Sequence, residues 1–386
     1  SMRVKPTEEY YNRYCEHPPF YVTKDINTTI EDDKGNEKEV TARKLSSYME
    51  CHDVLIGTPL FLWYLQQPGI QCLDITQVIA YKAGTPYKAF VELGAEMRRS
   101  KNKIAGNLWK LMLNAAFGKM AQNNAAYDKL LITDDITKVN RAVNKACYKS
   151  GSEVTIDGET LFEVKSSKRK IKQNMPIQGA CMIYSNAKLA MLSFVYDFVD
   201  TYLDREDFQL MYTDTDSMWI AFSEKNPFGL PDQLAPTAAE ANYEPSPGLC
   251  KQGLEEQFEE DKRRFMVMNQ HDIRTPGPMK TEYEAAELVC LAAKSYYATP
   301  MQGNTVKSGA KGVQKSNPLT MGMFTSALFE GKVHEATNRG FRKATGRGNT
   351  LGYQLYEQTK RGVNSDYDKR HVMKNKVNTY PRSWDE

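Results

Sequence analysis

Nothing in these 386 residues approaches the run of about 18 apolar side chains needed to cross a bilayer, so no membrane-spanning segment is expected. The opening Ser1-Met2-Arg3-Val4 has no apolar signal core, and the Ser before Met reads as an expression remnant. Cysteine is sparse and unpatterned: seven residues, at 15, 51, 72, 147, 181, 250 and 290, odd in number and never in a Cys-x-x-Cys pair. That argues against structural zinc and a disulfide framework and fits a reducing compartment. An excess of charge of one sign is missing too. The net charge is only +3, which by itself singles out no polyanionic partner. The glycine-punctuated Lys307–Lys315 segment lacks the spacing of a Walker A loop and is not read as an ATP site.

What is present is the composition of a soluble globular chain, 41% hydrophobic and 26% charged, long enough for two or three subdomains. Its charge is unevenly spread. From Met301 onward there are 15 Lys and Arg against 7 Asp and Glu, so the last segment is basic and the remainder slightly acidic. A basic end in a chain with an acidic turn suits nucleic-acid binding near a metal, although a solvated basic surface has the same composition.

That acidic turn is Met211-Tyr-Thr-Asp214-Thr-Asp216-Ser-Met-Trp-Ile220. Apolar and aromatic residues flank two carboxylates one residue apart, the pattern of two strands joined by a tight Asp-Thr-Asp turn. Carboxylates held close repel one another, so such a turn needs a cation or a watery setting. An ordinary solvated hairpin turn is the plain alternative, because Asp and Thr are common turn residues. Upstream, Tyr87 to about Asn123 is helical in pattern with a break near Asn102–Gly106. Within it Lys110, Asn114 and Phe117 recur at i, i+4 and i+7 on one face, with Leu108, Leu111 and Ala115 expected to pack behind. A cation, an amide and a flat ring on one face suit a triphosphate and a base.

Tyr-Thr-Asp-Thr-Asp-Ser resembles the palm signature Tyr-x-Asp-Thr-Asp-Ser of family B DNA polymerases. Lys110-Leu-Met-Leu-Asn-Ala-Ala-Phe-Gly-Lys119 resembles the fingers helix of the same family, with Ala115 in place of the usual Ser and Phe117 in place of Tyr. Lys294-Ser-Tyr296 is similar to the Lys-x-Tyr motif where palm meets thumb. The three motifs stand in the family's order and cover roughly residues 85 to 315. Gly277-x-x-Lys280-x-Glu282, Gly309-Ala-Lys311-Gly-Val and Tyr367-Asp-Lys-Arg370 are similar to the protein-primed branch found in viruses and Maverick/Polinton transposons.

The resemblance implies an α+β fold of right-hand polymerase architecture: an antiparallel palm sheet backed by helices, helical-hairpin fingers, a mixed thumb and no exonuclease domain. It divides the chain into partial palm (1–84), fingers (85–124), palm with the acidic turn (125–293) and thumb (294–386). It implies that Asp214 and Asp216 hold Mg²⁺ or Mn²⁺, and that Lys110 and Arg98 meet the phosphates of an incoming dNTP. Helix phase leaves Arg99 and Lys103 open for the second cation. Asn114, Phe117 and Gly118 would line the nascent base pair. Lys294 would approach the reacting primer end, with Tyr296, Lys280 and Lys311 along the primer strand. Expected partners are primed DNA, dNTP, a terminal protein and the N-terminal half of the same polymerase, in the nucleus or cytoplasm of a host cell.

The family's Asp-x-x-x-Leu-Tyr-Pro stretch, which carries another metal-binding Asp, and its Asp-x-Glu exonuclease are not found. The chain is therefore expected to be the C-terminal part of a larger polymerase, weak or inactive alone. The alternative is a non-catalytic nucleic-acid-binding or scaffold protein derived from one. A metal hydrolase using Asp214 and Asp216 would need no ordered Lys110 or Lys294.

Elsewhere the pattern predicts an Asp32–Asn36 turn between two strands, a helix ending near Pro68-Gly69 and a strand over Ile70–Tyr81. Short strands should follow at Lys129–Thr133, Val154–Ile156 and Leu161–Lys165. The basic cluster Lys165–Lys172 is read as a solvated hairpin in preference to a duplex-contacting edge. A long helix over Gln178–Leu203 should carry an apolar stripe that includes Ile183, Ala187, Ala190, Met191, Phe194 and Phe198. A surface loop is expected over Pro227–Pro247.

Overall fold

The structure, a computed structural model, describes residues 1–31, 37–99, 102–124, 127–156, 159–171, 174–231, 248–270, 273, 275, 277–303, 305–345 and 351–384. The Asp32–Asn36 turn, Lys172 and most of the 227–247 loop lie outside them.

The chain opens with β1 (Met2–Val4), α1 (Glu8–Tyr14), the hairpin β2 (Tyr21–Glu31) and β3 (Glu37–Ser47), β4 (Glu50–Cys51), α2 (Thr58–Gln66) and β5 (Ile70–Cys72). β1 lies between β4 and β5, antiparallel to both. The strand predicted over Ile70–Tyr81 stops at Cys72. Ser1 still meets the backbone of Leu73 (3.0 Å) and Asp74 (2.9 Å), but no described strand pairs with the residues after them, and Ile75, Val78 and Tyr81 are 61%, 81% and 62% exposed.

Next come α3 (Lys88–Arg99) and α4 (Lys103–Met120). Asn102 ends the break between them by capping α4: its side-chain oxygen accepts from the N–H groups of Ile104 (3.0 Å) and Ala105 (3.2 Å), satisfying donors the first helical turn leaves over. The helices approach closely at Gly94, where a Cβ would stand 2.8 Å from a Leu113 methyl. Burial in α4 falls on Gly106 and Met120, with Ala105, Trp109, Leu113, Ala116 and Phe117 half-buried. Leu108, Leu111 and Ala115 are exposed, which corrects the expectation that they pack behind Lys110. The periodicity was there, but α3 covers the opposite side of the stripe.

A small unit follows: β6 (Lys129–Thr133), α5 (Ile136–Val143), β7 (Tyr148–Ile156) and β8 (Glu159–Ser166), with β8 central in an antiparallel sheet. The chain then enters α6 (Ile177–Ser193), a π-helical turn (Phe194–Val199) and α7 (Asp200–Tyr202), continuous in space. This rod organises the packing. One side of its buried half joins Tyr14, Phe20, Leu60, Trp63 and Tyr64. The other joins Phe208, Phe228, Phe258 and Met266. Because it is covered on both sides, Phe194, Val195, Tyr196, Phe198 and Val199 are all buried, not a single stripe. Ile183, Ala187 and Ala190 are exposed, because α2 and α4 cover a different side of α6, where Ala180 and Ser185 are buried. Asp197 ties the π turn to α2, accepting from Trp63 Nε1 (2.7 Å) and Gln67 Nε2 (3.1 Å).

The hairpin β9 (Phe208–Asp214) and β10 (Ser217–Phe222) lies on this rod, with Met218 packed into both cores. α8 (Glu255–Phe265) flanks it. A further antiparallel sheet, β11 (Ala285–Ala292), β12 (Ser295–Pro300) and β13 (Lys307–Gly309), packs with α9 (Met321–Glu330). Leu291, Phe324, Ala327 and Val363 form their core. A long hairpin, β14 (His334–Thr345) and β15 (Leu351–Val363), extends from it.

The chain then turns back. β16 (Arg370–Val372) and β17 (Thr379–Pro381) lie against the N-terminal region. Arg370 donates to the Cys15 carbonyl (2.6 Å), Tyr11 meets the Tyr380 and Trp384 rings, and Ser383 donates to the Ser47 carbonyl. The residues expected as thumb, 294–386, thus include this terminal strand pair, which packs beside α1 and β3.

Candidate functional site

Asp214 closes β9, Thr215 and Asp216 form the turn, and Ser217 opens β10 opposite Asp214. Thr215 takes a left-handed φ of 61°, unfavourable for a β-branched residue. It is held by hydrogen bonds within the turn: Thr215 Oγ1 donates to Asp214 Oδ1 (3.1 Å), Asp216 N–H to the Asp214 carbonyl (2.8 Å) and Ser217 Oγ to the same carbonyl (3.1 Å). The result lifts two carboxylates off the end of a packed hairpin. Asp216 is exposed, and it makes no ion pair among the described residues.

A second turn faces the first. Lys294 sits between β11 and β12 with φ 65°, and its backbone N–H donates to the Tyr212 hydroxyl at 2.7 Å. That hydroxyl in turn lies 3.4 Å from Asp214 Oδ2. The Lys294 ammonium stands 3.4 Å from the same oxygen. Burial pushes the Tyr212 phenol up to about 12, against the opposing hydrogen bond from Lys294 and with the Asp214 charge adding to the rise, so it stays a neutral hydrogen-bonding group near neutral pH. Below it, the Tyr296 ring packs on Tyr212 (5.6 Å) and Trp219 (5.8 Å). Two hairpins that share no backbone hydrogen bonds are thus joined through side chains.

Tyr283 extends this layer, edge-on to Trp219 at 5.6 Å with the Lys307 ammonium over its ring at 4.7 Å. Its neighbour Glu282 pairs with Lys280 at 2.7 Å. The Lys280 hydrogen bond holds the Glu282 carboxyl below its usual range, against a desolvation that raises it, and the charges of Lys280, Lys307 and Lys110 add to that lowering. Lys110, on α4, therefore reaches the electrostatic surroundings of the 280–283 segment. Among the described residues Lys110 makes no ion pair with Asp214 or Asp216, and Asn114 makes no hydrogen bond to either. Phe117 meets Tyr184 of α6 edge-on at 5.9 Å, and Gly118 is open, with no atom within 4 Å of where a Cβ would stand. Arg98 is half-buried at the α3–α4 junction, its carbonyl 3.5 Å from the Cβ position of Gly106, while Arg99 and Lys103 are exposed. Lys311 is exposed on a loop braced against β14: Asn338 accepts from Gln314 N–H (2.9 Å) and donates to the Gly312 carbonyl (2.6 Å).

The structure thus brings Asp214, Asp216, Lys294 and Tyr296 together. Lys280 pairs with Glu282, on which the Lys110 charge also acts, while Asn114, Phe117 and Gly118 stay on α4 and Lys311 on the loop after β13, with no hydrogen bond or ion pair to the two acids among the described residues. Sequence reasoning gave no role to Tyr212, Glu282 or Tyr184. Tyr212 and Glu282 stood inside quoted motifs, while nothing near Tyr184 announced its contact with Phe117. The two aspartates offer hard oxygen donors suited to Mg²⁺ or Mn²⁺. Among the described residues no group of three His, Cys, Asp or Glu is gathered around one point, so further ligands would have to come from phosphate and water.

The chain matches no protein-family profile, no curated protein and no solved structure. No helix among the described residues is long and apolar enough to cross a membrane.

Proposed function

We propose that this chain is the C-terminal catalytic-core portion of a DNA-directed DNA polymerase of family B, protein-primed type, transferring nucleotides from dNTP to a primer 3′-hydroxyl. The observation that carries the reading is the approach of Lys294 to Asp214 across two separate hairpins. A surface Lys–Asp pair is common, but here both turns adopt left-handed backbone at non-glycine positions, Thr215 and Lys294. Strain of about 1–3 kcal/mol at each is typical of positions kept for function.

In this reading Asp214 and Asp216 hold Mg²⁺ or Mn²⁺, which supplies charge stabilisation to the transferring phosphoryl group. Lys294 neutralises charge at the primer end and Tyr212 fixes the Asp214 carboxylate. Lys110 and Arg98 meet the nucleotide phosphates, and Asn114, Phe117 and Gly118 border the base pair. Lys280, Tyr296 and Lys311 line the primer strand. The partners are primed DNA, dNTP and a terminal protein, in a reducing nuclear or cytoplasmic setting that suits seven free thiols. With only two carboxylates on the acidic turn, slow turnover by the chain alone is expected. The same donor count favours the second reading, a polymerase-derived protein kept for nucleic-acid binding.

Primer extension on a primed template separates the two. Weak, Mg²⁺-dependent addition that falls at least about a hundredfold in Asp216→Ala supports synthesis. Extension that survives Asp216→Ala refutes it, and template binding with no response to Mg²⁺ favours the binding protein.

A further inference from the structure

The β6–β8 ladder ends where Lys129 pairs with Ser166, and just beyond it Ser167 donates its N–H to the Cys147 carbonyl at 2.7 Å. Tyr127 precedes β6 and Lys168 follows β8. The Lys168 ammonium lies over the Tyr127 ring at 5.7 Å and donates to the Asn124 carbonyl at 3.1 Å, so the ring is backed by a cation within the distance such pairs use. Tyr127 is nevertheless 55% exposed, and Lys168, Arg169 and Lys170 are all exposed. The nearby acids are already engaged: Asp128 pairs with Lys149 (2.5 Å) and Glu163 with Lys165 (3.0 Å). No carboxylate among the described residues pairs with Lys168, Arg169 or Lys170. The base of this unit is therefore a surface with three uncompensated cations and one accessible aromatic face.

We propose that this surface binds the single-stranded 5′ extension of the template, one base stacking on Tyr127 and the flanking phosphates meeting Lys168, Arg169 and Lys170. The inference rests on the synthesis reading for the identity of the strand. The chemistry favours single-stranded nucleic acid over a duplex or an acidic peptide, because an exposed ring beside a phosphate-binding stripe is useful only to a partner that presents unpaired bases. Position agrees. Asn124, to which Lys168 donates, lies four residues past the end of α4, the helix whose Phe117 and Gly118 border the template base in the synthesis reading. Tyr148 and Tyr184, 38% and 51% exposed, carry no comparable cation and are not part of the surface.

The test is fluorescence anisotropy on the intact chain with three DNA probes: a primed template with a one-nucleotide 5′ overhang, the same duplex with a ten-nucleotide overhang, and a ten-nucleotide single strand. The longer overhang should bind more tightly. Tyr127→Ala should remove about tenfold of that gain, an effect within the range for loss of one base stack, and Tyr127→Phe should keep it. The triple Lys168→Ala, Arg169→Ala, Lys170→Ala should remove the rest and flatten the salt dependence for the long overhang. All variants should keep wild-type affinity for the short overhang, the readout that a damaged fold would not spare. An overhang gain that is absent in the wild-type chain, or unchanged in these variants, overturns the proposal. Failure of the synthesis reading looks different: single-strand binding still depends on Tyr127, while primer extension ignores Asp216.

Discussion

Lys294 offers a direct measurement of whether the site stores strain. Its φ of 65° costs a residue with a Cβ about 1–2 kcal/mol, a cost glycine escapes. The glycine also adds freedom to the unfolded chain, which offsets about 0.4–1 kcal/mol of that relief. Lys294→Gly should therefore be more stable than Lys294→Ala by roughly 0.5–1 kcal/mol. Both variants lose the ammonium that meets Asp214, and since the Lys294 side chain is 67% exposed, that ion pair is worth at most about 1 kcal/mol. Both retain the backbone N–H that donates to Tyr212. Urea denaturation resolves the difference as a shift in midpoint at constant slope. An Ala190→Gly variant in the exposed, right-handed backbone of α6 supplies the opposite sign, a loss of about 1 kcal/mol. Primer binding should be lost in both 294 variants despite their different stabilities. If Lys294→Gly is less stable than Lys294→Ala, the left-handed turn is not where strain resides and the argument from paired strained turns fails.

Two further perturbations test the scaffold. Phe198 is fully buried, stacked on Phe258 at 5.5 Å and 5° and flanked by Phe228 and Phe265, so Phe198→Ala should cost about 3–5 kcal/mol in denaturant unfolding; a loss under about 1 kcal/mol would mean the π-helical rod does not hold the hairpin in place. His17 has its Nδ1 buried without a hydrogen-bond partner, and burial, aided by the Lys188 and Arg370 charges, lowers its pKa to about 4. The unfolded imidazole titrates near 6.5, so as pH falls the unfolded chain takes up the proton first and stability drains away between about 6.5 and 4, by up to ~3 kcal/mol. His17→Gln should flatten stability across that window, and an unchanged slope would place the acid sensitivity elsewhere.

Local order was legible wherever one residue type settles it. Alternation around Asp214 and Asp216 marked the hairpin, the break expected near Asn102–Gly106 fell at the start of α4 although Lys103–Gly106 are already helical, and the apolar run after Gln178 marked the central rod. Coverage was not legible. Leu108 and Leu111 show the same periodicity as a core stripe yet face outward, because the face buried on α4 is chosen by Gly94 and Leu113 across the α3 junction. Ile75 and Val78 alternate like a strand but have no pairing strand among the described residues, and a strand is defined by its partner. The return of Arg370 to Cys15 links the two ends of the chain through a guanidinium and a backbone carbonyl, a contact that leaves no periodic trace.

The site itself divides along the same line. Its acids are readable because they share one turn, and its lysine because it precedes a tyrosine in a recognisable strand end. Their meeting depends on Tyr212, whose hydroxyl accepts from Lys294 and points at Asp214. A phenylalanine there would preserve the hydrophobic alternation and the contact with Tyr296, so pattern alone cannot tell a packing ring from the one that joins the two hairpins. The hydroxyl joins the Lys294 ion pair in connecting the separate sheets at Asp214, which makes a residue of unremarkable periodicity a pivot on which the proposed chemistry turns.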